Sequence, residues 1–398
     1  MAVFFIMTLT VTAVIFCIVL PRLSLLGIMG WILLAILFSF NTDNADRLVH
    51  ETKFEYATIG DTRNEPLFNL VIEISRNAGL DYQQFLIIVG FTFTGILAIT
   101  VRKFTRANIV PYLLLLFPFS IYTCIIRYTC GLIFVIPAVA IIFSYNKTKL
   151  KLGIAAILII AGTLMHYSLI ISLIAFLGLI REKAKFRILL ITLISIEIIS
   201  VVSFSVIVNL IPQTLESVVY KVSGGISWTE RFDLEGLTRV AILIFLHYLL
   251  VAAFIKVLHV SSGVVGDHAS TSTISIMKRI NLASLLLIPL NFVTVDAYRV
   301  LIALAPIYLA VMINSTSYWS EISPISGMGK ENDGSDRATS VYGNMSLYSG
   351  ESIVPKWILP FFPILYSISS FILFLVSREN FWVNVFLAML NNNSVFDI

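Results

Sequence analysis

The sequence predicts an all-α, polytopic integral membrane protein of about 12 transmembrane or hairpin helices. Three observations predict this class. The 398-residue chain is 58% hydrophobic and only 13% charged, with a mean hydropathy of +0.94; soluble domains carry about 25% charged residues. Apolar runs such as 2–20 and 82–101 are continuous, whereas barrel strands alternate over about 10 residues. Basic residues also gather in alternate connections between the runs, as the positive-inside rule requires.

Taken in order, the expected spans are 2–20, 23–40, 82–101, 108–125, 127–145, 152–165, 168–180, 187–208, 239–258, 280–294, 299–313 and 357–377. The first is read as a span, because no basic segment precedes it and no small-residue cleavage site follows. The stretch 152–180 has two readings: one helix of about 44 Å, or two arms of about 20 Å each. Charge decides between them. Lys147, Lys149 and Lys151 precede the stretch, and Arg181, Lys183, Lys185 and Arg187 follow it. Both ends therefore belong on the cytoplasmic side, and only a hairpin allows that. With the N-terminus outside, most of the 27 basic residues fall in cytoplasmic connections and most of the 23 acidic residues on the outer side.

The whole chain, 1–398, reads as one transmembrane domain. Its first outer loop, 41–81, contains an amphipathic segment with Leu67, Phe68, Leu70, Val71 and Ile74 on one face and Glu73, Arg76 and Asn77 on the other. Asn64 is placed to cap this helix, Pro66 to sit in its first turn and Gly79 to end it; the helix is expected along the membrane surface. A second outer loop spans 209–238. The segment 314–356, rich in Ser, Gly and Asn, is expected to be a mobile cytoplasmic loop. The apolar run 381–390 is too short to span and is expected at the interface.

Polar residues interrupt three of the apolar stretches: Arg127, His166 and Arg299. Ionisable groups in membrane spans are costly and usually functional. Each is expected at the apex between two arms, on the outer side. Arg231 and Arg239 join them there from the second outer loop. A guanidinium grips phosphate with two parallel donors, so several on one face suggest a di-anionic ligand such as a pyrophosphate. Single arginines of this kind can also be ion-paired or reach lipid phosphate. Asp296 and Tyr298 flank Arg299 and could orient it. Trp228 and Tyr220 could stack on sugar rings.

A proton acceptor in a partly dry site would be a carboxylate or a histidine. The candidates are His166, Glu65, Asp43 and Asp46, although Glu65 could equally complement a helix dipole. His247, inside a span, reads as structural. Cys17, Cys124 and Cys130 have no metal-ligand spacing and read as packing residues. No P-loop, dinucleotide fingerprint, HExxH, CxxC or nucleophile elbow is present, and the net charge of +4 makes no case for nucleic acid. No cofactor and no metal is expected.

A set of ordered landmarks resembles the EpsG family of exopolysaccharide polymerases, related to Wzy O-antigen polymerases. Asp43 opens the first outer loop, Glu65-Pro66 precedes its helix, Ile126-Arg127 follows a proline-containing span, His166-Tyr167-Ser168 comes next, and Tyr298-Arg299 marks the last apex. One departure is Arg47, where the family pattern has a tyrosine four residues after the first aspartate. The resemblance implies a GT-C-like glycosyltransferase in the bacterial inner membrane with its active site facing the periplasm. Its substrate would be an undecaprenyl-pyrophosphate-linked oligosaccharide, drawn from the membrane lipid. The repeat units would be joined into exopolysaccharide, capsule or O-antigen with release of undecaprenyl pyrophosphate. Arginines would hold the pyrophosphate; His166, Glu65 or Asp43 would take the acceptor proton. A chain-length regulator and a flippase are the partners it implies. A flippase for the same lipid-linked sugars, an O-antigen ligase or another GT-C transferase would also want a cationic outer cavity. A flippase more often shows repeat symmetry, which the sequence lacks.

Overall fold

A computed structural model describes residues 2–20, 23–42, 46–56, 65–144, 147–210, 234–261, 268–291, 297–315, 361–377 and 382–395. Among them there are helices and no strands, as expected for a chain that must satisfy its backbone within lipid. The elements run α1 (Ala2–Val19), α2 (Ser24–Ser39), α3 (Arg47–Tyr56), α4 (Pro66–Asn77), α5 (Tyr82–Val101), α6 (Val110–Leu114), α7 (Ser120–Cys124), α8 (Ile126–Phe143) and α9 (Lys149–Met165). Then come a 3-10 arm (Tyr167–Leu179), α10 (Lys183–Leu210), α11 (Leu234–Ser261), α12 (His268–Ala283), α13 (Leu287–Leu290), α14 (Arg299–Asn314), α15 (Phe362–Ser377) and α16 (Ala388–Asn391).

Among the described residues, four segments are long and apolar enough to cross a membrane: Tyr82–Val101, Ile126–Phe143, Thr238–Leu258 and Ser272–Leu290. Shorter apolar helices include Ile6–Val19, Ser24–Ser39, Val110–Cys124, Tyr167–Leu179, Arg299–Asn314 and Phe362–Leu375. The helix α14 is the central post. Every residue from Val300 to Ile313 is buried, so its position, and that of Arg299 at its first residue, is fixed on all sides. The helix α5 shows the opposite pattern. Phe85, Leu86, Val89, Phe93 and Leu97 face the interior, while Ile88, Phe91 and Ile99 are exposed. An exposed apolar stripe on a long apolar helix suits contact with lipid chains rather than water.

The stretch 152–180 is divided at His166. Its backbone is extended (φ −154°, ψ 114°) between α9 and the 3-10 arm, and the two arms pack against each other. The 13-residue second arm is wound as 3-10 helix, which rises about 2.0 Å per residue and spans about 26 Å rather than about 20 Å. The stretch 108–125 is not one helix. Pro118 cannot donate to the ladder, and Phe117 and Pro118 leave helical geometry between α6 and α7.

The segment 41–81 holds more than the expected amphipathic helix. It contains a second helix, α3, whose His50 and Phe54 are buried. Phe54 packs its ring 5.8 Å from that of Tyr82 and 5.3 Å from that of Phe85. The buried side of α4 is Phe68, Asn69 and Ile72, while Leu70 and Ile74 are exposed. The helix therefore rests on protein through a different stripe from the one its hydrophobic pattern favours. Gly79 does terminate α4. At φ +78° its N–H donates to the Arg76 carbonyl (2.8 Å), and the Leu80 N–H donates to the Ser75 carbonyl (3.1 Å). This pair of bonds is a Schellman cap and needs the left-handed residue. Asn64, the expected N-cap, lies outside the described residues; Glu65 occupies the cap position.

The run 381–390 is not superficial in its described part. Phe386, Met389 and Leu390 are buried. Beyond it, the Thr42 N–H donates to the Asn392 carbonyl (2.6 Å) and the Ser394 N–H to the Phe40 carbonyl (3.0 Å), which ties this segment to the end of α2.

One close contact sets the geometry of the site. A Cβ on Gly131 of α8 would lie 2.8 Å from the Gly162 carbonyl oxygen, and a Cβ on Gly162 of α9 would lie 3.0 Å from the Gly131 carbonyl oxygen and 2.6 Å from Val135 Cγ2. Each glycine allows the other helix's backbone to approach. Arg127 is one turn before Gly131 and His166 one turn after Gly162, so this contact brings both to the same end of the pair. Gly162→Val should force α8 and α9 apart at a cost of about 1–3 kcal/mol. The expected outcome is a lowered unfolding temperature in detergent together with lost activity; unchanged values of both would mean the contact does not fix the site.

Candidate active site

The sequence builds the site from the ends of helices. Pro66 denies its neighbour Glu65 the right-handed helical region, and Glu65 adopts φ +60°, ψ 65°. That left-handed conformation costs a non-glycine residue about 1–2 kcal/mol and turns the chain into α4. No side-chain cap is made. Instead the carboxylate, 1% exposed, reaches inward. Arg127 is the second residue of α8, which begins after a break at Ile125 (φ −97°, ψ 60°). Arg299 opens α14. Two cations therefore occupy helix N-termini, where the macrodipole disfavours positive charge. Such an arrangement calls for an anion between them.

Glu65 supplies one negative charge. Its Oε2 lies 2.7 Å from Arg127 Nη1 and 3.6 Å from Lys53 Nζ. Its Oε1 lies 3.2 Å from His166 Nδ1, without the alignment of a hydrogen bond. On the other side of the ring, His166 Nε2 is 3.0 Å from Arg299 Nη1. A guanidinium can only donate, so this nitrogen accepts and His166 is neutral, with its proton on Nδ1. The Arg299 guanidinium also sits over the Tyr128 ring, 5.8 Å from its centre, and the Tyr128 hydroxyl donates to the Arg299 carbonyl. The result is one chain of contacts, Lys53–Glu65–Arg127 and Glu65–His166–Arg299–Tyr128, drawn from α3, α4, α8, the α9 end and α14.

Beside it lies a cleft of about 40 Å³ lined by Asp46, His50, Ile125, Arg127, Tyr128, His166 and Arg299. His50 Nε2 donates to the Cys124 carbonyl at 3.1 Å. Burial, and then the Arg127 charge with smaller contributions from Lys53 and Arg299, pulls the His50 pKa down from 6.5 to about 4. Among the described residues, no group of three His, Cys, Asp or Glu side chains is placed to hold a metal ion.

Of the residues singled out from sequence, Glu65, Arg127, His166 and Arg299 come together here, and Asp46 lines the cleft beside them. Tyr298 does not line the cleft; its ring packs 6.0 Å from that of Phe374. Arg239 is exposed on α11 and is not among the lining residues. Asp43, Tyr220, Trp228, Arg231 and Asp296 lie outside the described residues. His247 donates to or accepts from the Tyr366 hydroxyl (3.0 Å) and stacks on Tyr308, a contact between core helices.

The EpsG family profile matches residues 25–323. The chain belongs to the EpsG family. The matched region contains every residue of the contact chain. EpsG membership and the apolar helices point to a membrane protein of polysaccharide biosynthesis, a polymerase of glycosyltransferase type acting on lipid-linked oligosaccharides. No curated protein and no solved structure matches the chain.

In this EpsG-family protein, sequence reasoning missed Lys53, His50 and Tyr128. The spacing His50–Phe54, one helical turn, was the available signal, but Leu48 and Val49 beside it are exposed and blur the stripe. Arg47, which departs from the family pattern, has a supporting place. Its Nη1 donates to the Asn41 carbonyl (2.8 Å) and to Gln83 Oε1 (3.2 Å), and its guanidinium covers the Tyr82 ring at 5.2 Å. It fixes the start of α3 to α5.

The His50 shift has a consequence for stability. Its folded pKa is depressed, so folding excludes a proton that the unfolded chain binds below 6.5. The contribution is complete above pH 6.5 and is lost as pH falls through about 4. Thermal unfolding in detergent should show stability falling on acidification across that window, with a shallower fall in His50→Gln. An identical pH dependence in both proteins would contradict the assignment.

Proposed function

We propose that the chain joins undecaprenyl-pyrophosphate-linked oligosaccharide repeat units at the outer face of the bacterial inner membrane, on a GT-C-like helical scaffold. The observation that carries this reading is the pair Arg127 and Arg299, both at helix N-termini and both lining one cleft with a buried carboxylate behind them. Such a cluster is suited to a leaving group bearing several negative charges. As the anomeric carbon–oxygen bond breaks, negative charge grows on the departing pyrophosphate. Fixed guanidinium donors and two helix dipoles then stabilise the transition state more than the ground state.

In this reading Arg127, Arg299 and Lys53 receive the pyrophosphate. Glu65 keeps Arg127 and Lys53 in place, and His166 keeps Arg299 in place through its Nε2. The growing chain is the donor, and a hydroxyl of the incoming unit attacks its anomeric carbon. Asp43, Arg231, Arg239 and Trp228 would contact the sugars, while Tyr298, packed against Phe374, supports α14. Capsule, exopolysaccharide and O-antigen are all products compatible with this chemistry, and a chain-length regulator and a flippase are the partners it would meet.

The outer position is supported by the charge pattern. The cluster Arg102, Lys103 and Arg106 follows α5 at the end opposite α3 and α4. The 20 residues of α5 separate the two ends by about 30 Å, the thickness of a bilayer core.

Arg127→Ala and Arg299→Ala should each yield a stably inserted protein that makes long polymer at least about 10²-fold more slowly. Electrophoresis of the polysaccharide from a complemented deletion strain measures this. Normal chain-length ladders from both variants would overturn the reading. Single exported repeat units in the deletion strain are expected from a polymerase; inward-facing units accumulating in their place would indicate a flippase.

A further inference from the structure

The strongest unassigned feature is the bonding state of His50. A backbone carbonyl can only accept, so the 3.1 Å contact to Cys124 requires the proton on Nε2. His50 is neutral, as its depressed pKa of about 4 also requires at cellular pH. The lone pair is then on Nδ1. That nitrogen has no hydrogen-bond partner and is buried, in a residue that lines the cleft beside Arg127 and Arg299. Of the four groups expected to act as bases, Asp43 lies outside the described residues, the acceptor nitrogen of His166 is occupied by Arg299, Glu65 is occupied by Arg127 and Lys53, and Asp46 lines the cleft with His50.

We infer that His50 is the general base that takes the proton from the acceptor sugar hydroxyl, its Nδ1 carrying a lone pair with no hydrogen-bond partner beside the cleft. The inference rests on the polymerase reading above. The groups facing His50 are Asp46 and Lys53 on its own helix, Arg127 of α8, Arg299 of α14, and His166 at the end of α9, with Glu65 behind Arg127. Arg127, Lys53 and Arg299 disfavour a proton on His50. A pyrophosphate docked on them offsets that effect, so His50 becomes a stronger base when the donor is bound. The step balances as follows. The acceptor oxygen forms a bond to the anomeric carbon, and its proton passes to Nδ1. The bond from the anomeric carbon to the phosphate oxygen breaks, with its electron pair leaving on the pyrophosphate. The imidazolium then returns its proton to water. The basicity arrives with the donor, which limits wasted reaction in an empty site.

The test uses the full-length protein in nanodiscs, with lipid-linked repeat units extracted from its host. His50→Gln retains an amide donor for the Cys124 carbonyl and removes the basic nitrogen. The expected result is that kcat falls about 10²-fold or more, with KM for the lipid-linked unit and the affinity for inorganic pyrophosphate changed by less than about threefold. The acid limb of the wild-type pH–rate profile should vanish. His50→Ala should regain turnover with added imidazole, in proportion to its neutral fraction. Wild-type turnover in His50→Gln, or loss of turnover with the acid limb intact and no imidazole rescue, would overturn the role of His50. Failure of the wild-type protein to bind pyrophosphate, together with normal polymer from Arg127→Ala, would instead overturn the polymerase reading and the inference with it.

Discussion

The 2.7 Å ion pair between Glu65 and Arg127 is the contact on which the rest of the site depends. A carboxylate that is 1% exposed is costly to desolvate unless its oxygens are matched by cations. Glu65 is matched by Arg127 and Lys53 on one oxygen and faces His166 from the other. Each of those partners is held by a different element. The carboxylate therefore joins the short helices α3 and α4 to α8, α9 and, through His166, α14. It also accounts for the left-handed backbone at Glu65, since strain of this kind persists only where surrounding contacts determine it.

Two constraints deliver the partners. Reciprocal glycines, Gly131 and Gly162, let α8 and α9 touch backbone to backbone, and this aligns Arg127 with His166. The buried length of α14 fixes Arg299, while the Tyr128 hydroxyl on its carbonyl locks α14 to α8. The N-termini of α4, α8 and α14 present their positive dipole ends here, and those of α8 and α14 carry Arg127 and Arg299. The site is organised around more positive charge than Glu65 alone offsets, and an anionic leaving group fits that imbalance. Arg47 covers the ring of Tyr82 and anchors α3, which carries Lys53 and His50.

Much of the architecture was legible because lipid leaves few options. Continuous apolar runs dictate helices, and the basic clusters around 152–180 dictated a reversal at His166, where the chain does break. The break before Arg127 was legible from the charge that interrupts 108–145, and the structure has it at Ile125; the further break at Phe117–Pro118 inside 108–125 was not expected. The protein-facing stripe of α4 was not legible, because Leu70 and Ile74 are apolar and yet exposed. Hydrophobic periodicity locates a core in water, but it does not separate protein-facing from lipid-facing sides in a membrane.

The sequence by itself determined the class of the protein, the placement of Arg127, His166 and Arg299 at interruptions of apolar stretches, and the family landmarks that include Glu65. Those are local properties: hydropathy, charge count and residue order. Tertiary structure decided which of them meet, that Lys53 and His50 join them from α3, and which lone pairs are already committed. Hydrogen-bond roles depend on partners 62 to 133 residues away in the chain, from Glu65–Arg127 to His166–Arg299. Such pairings are set by how helices pack, and no local pattern encodes them.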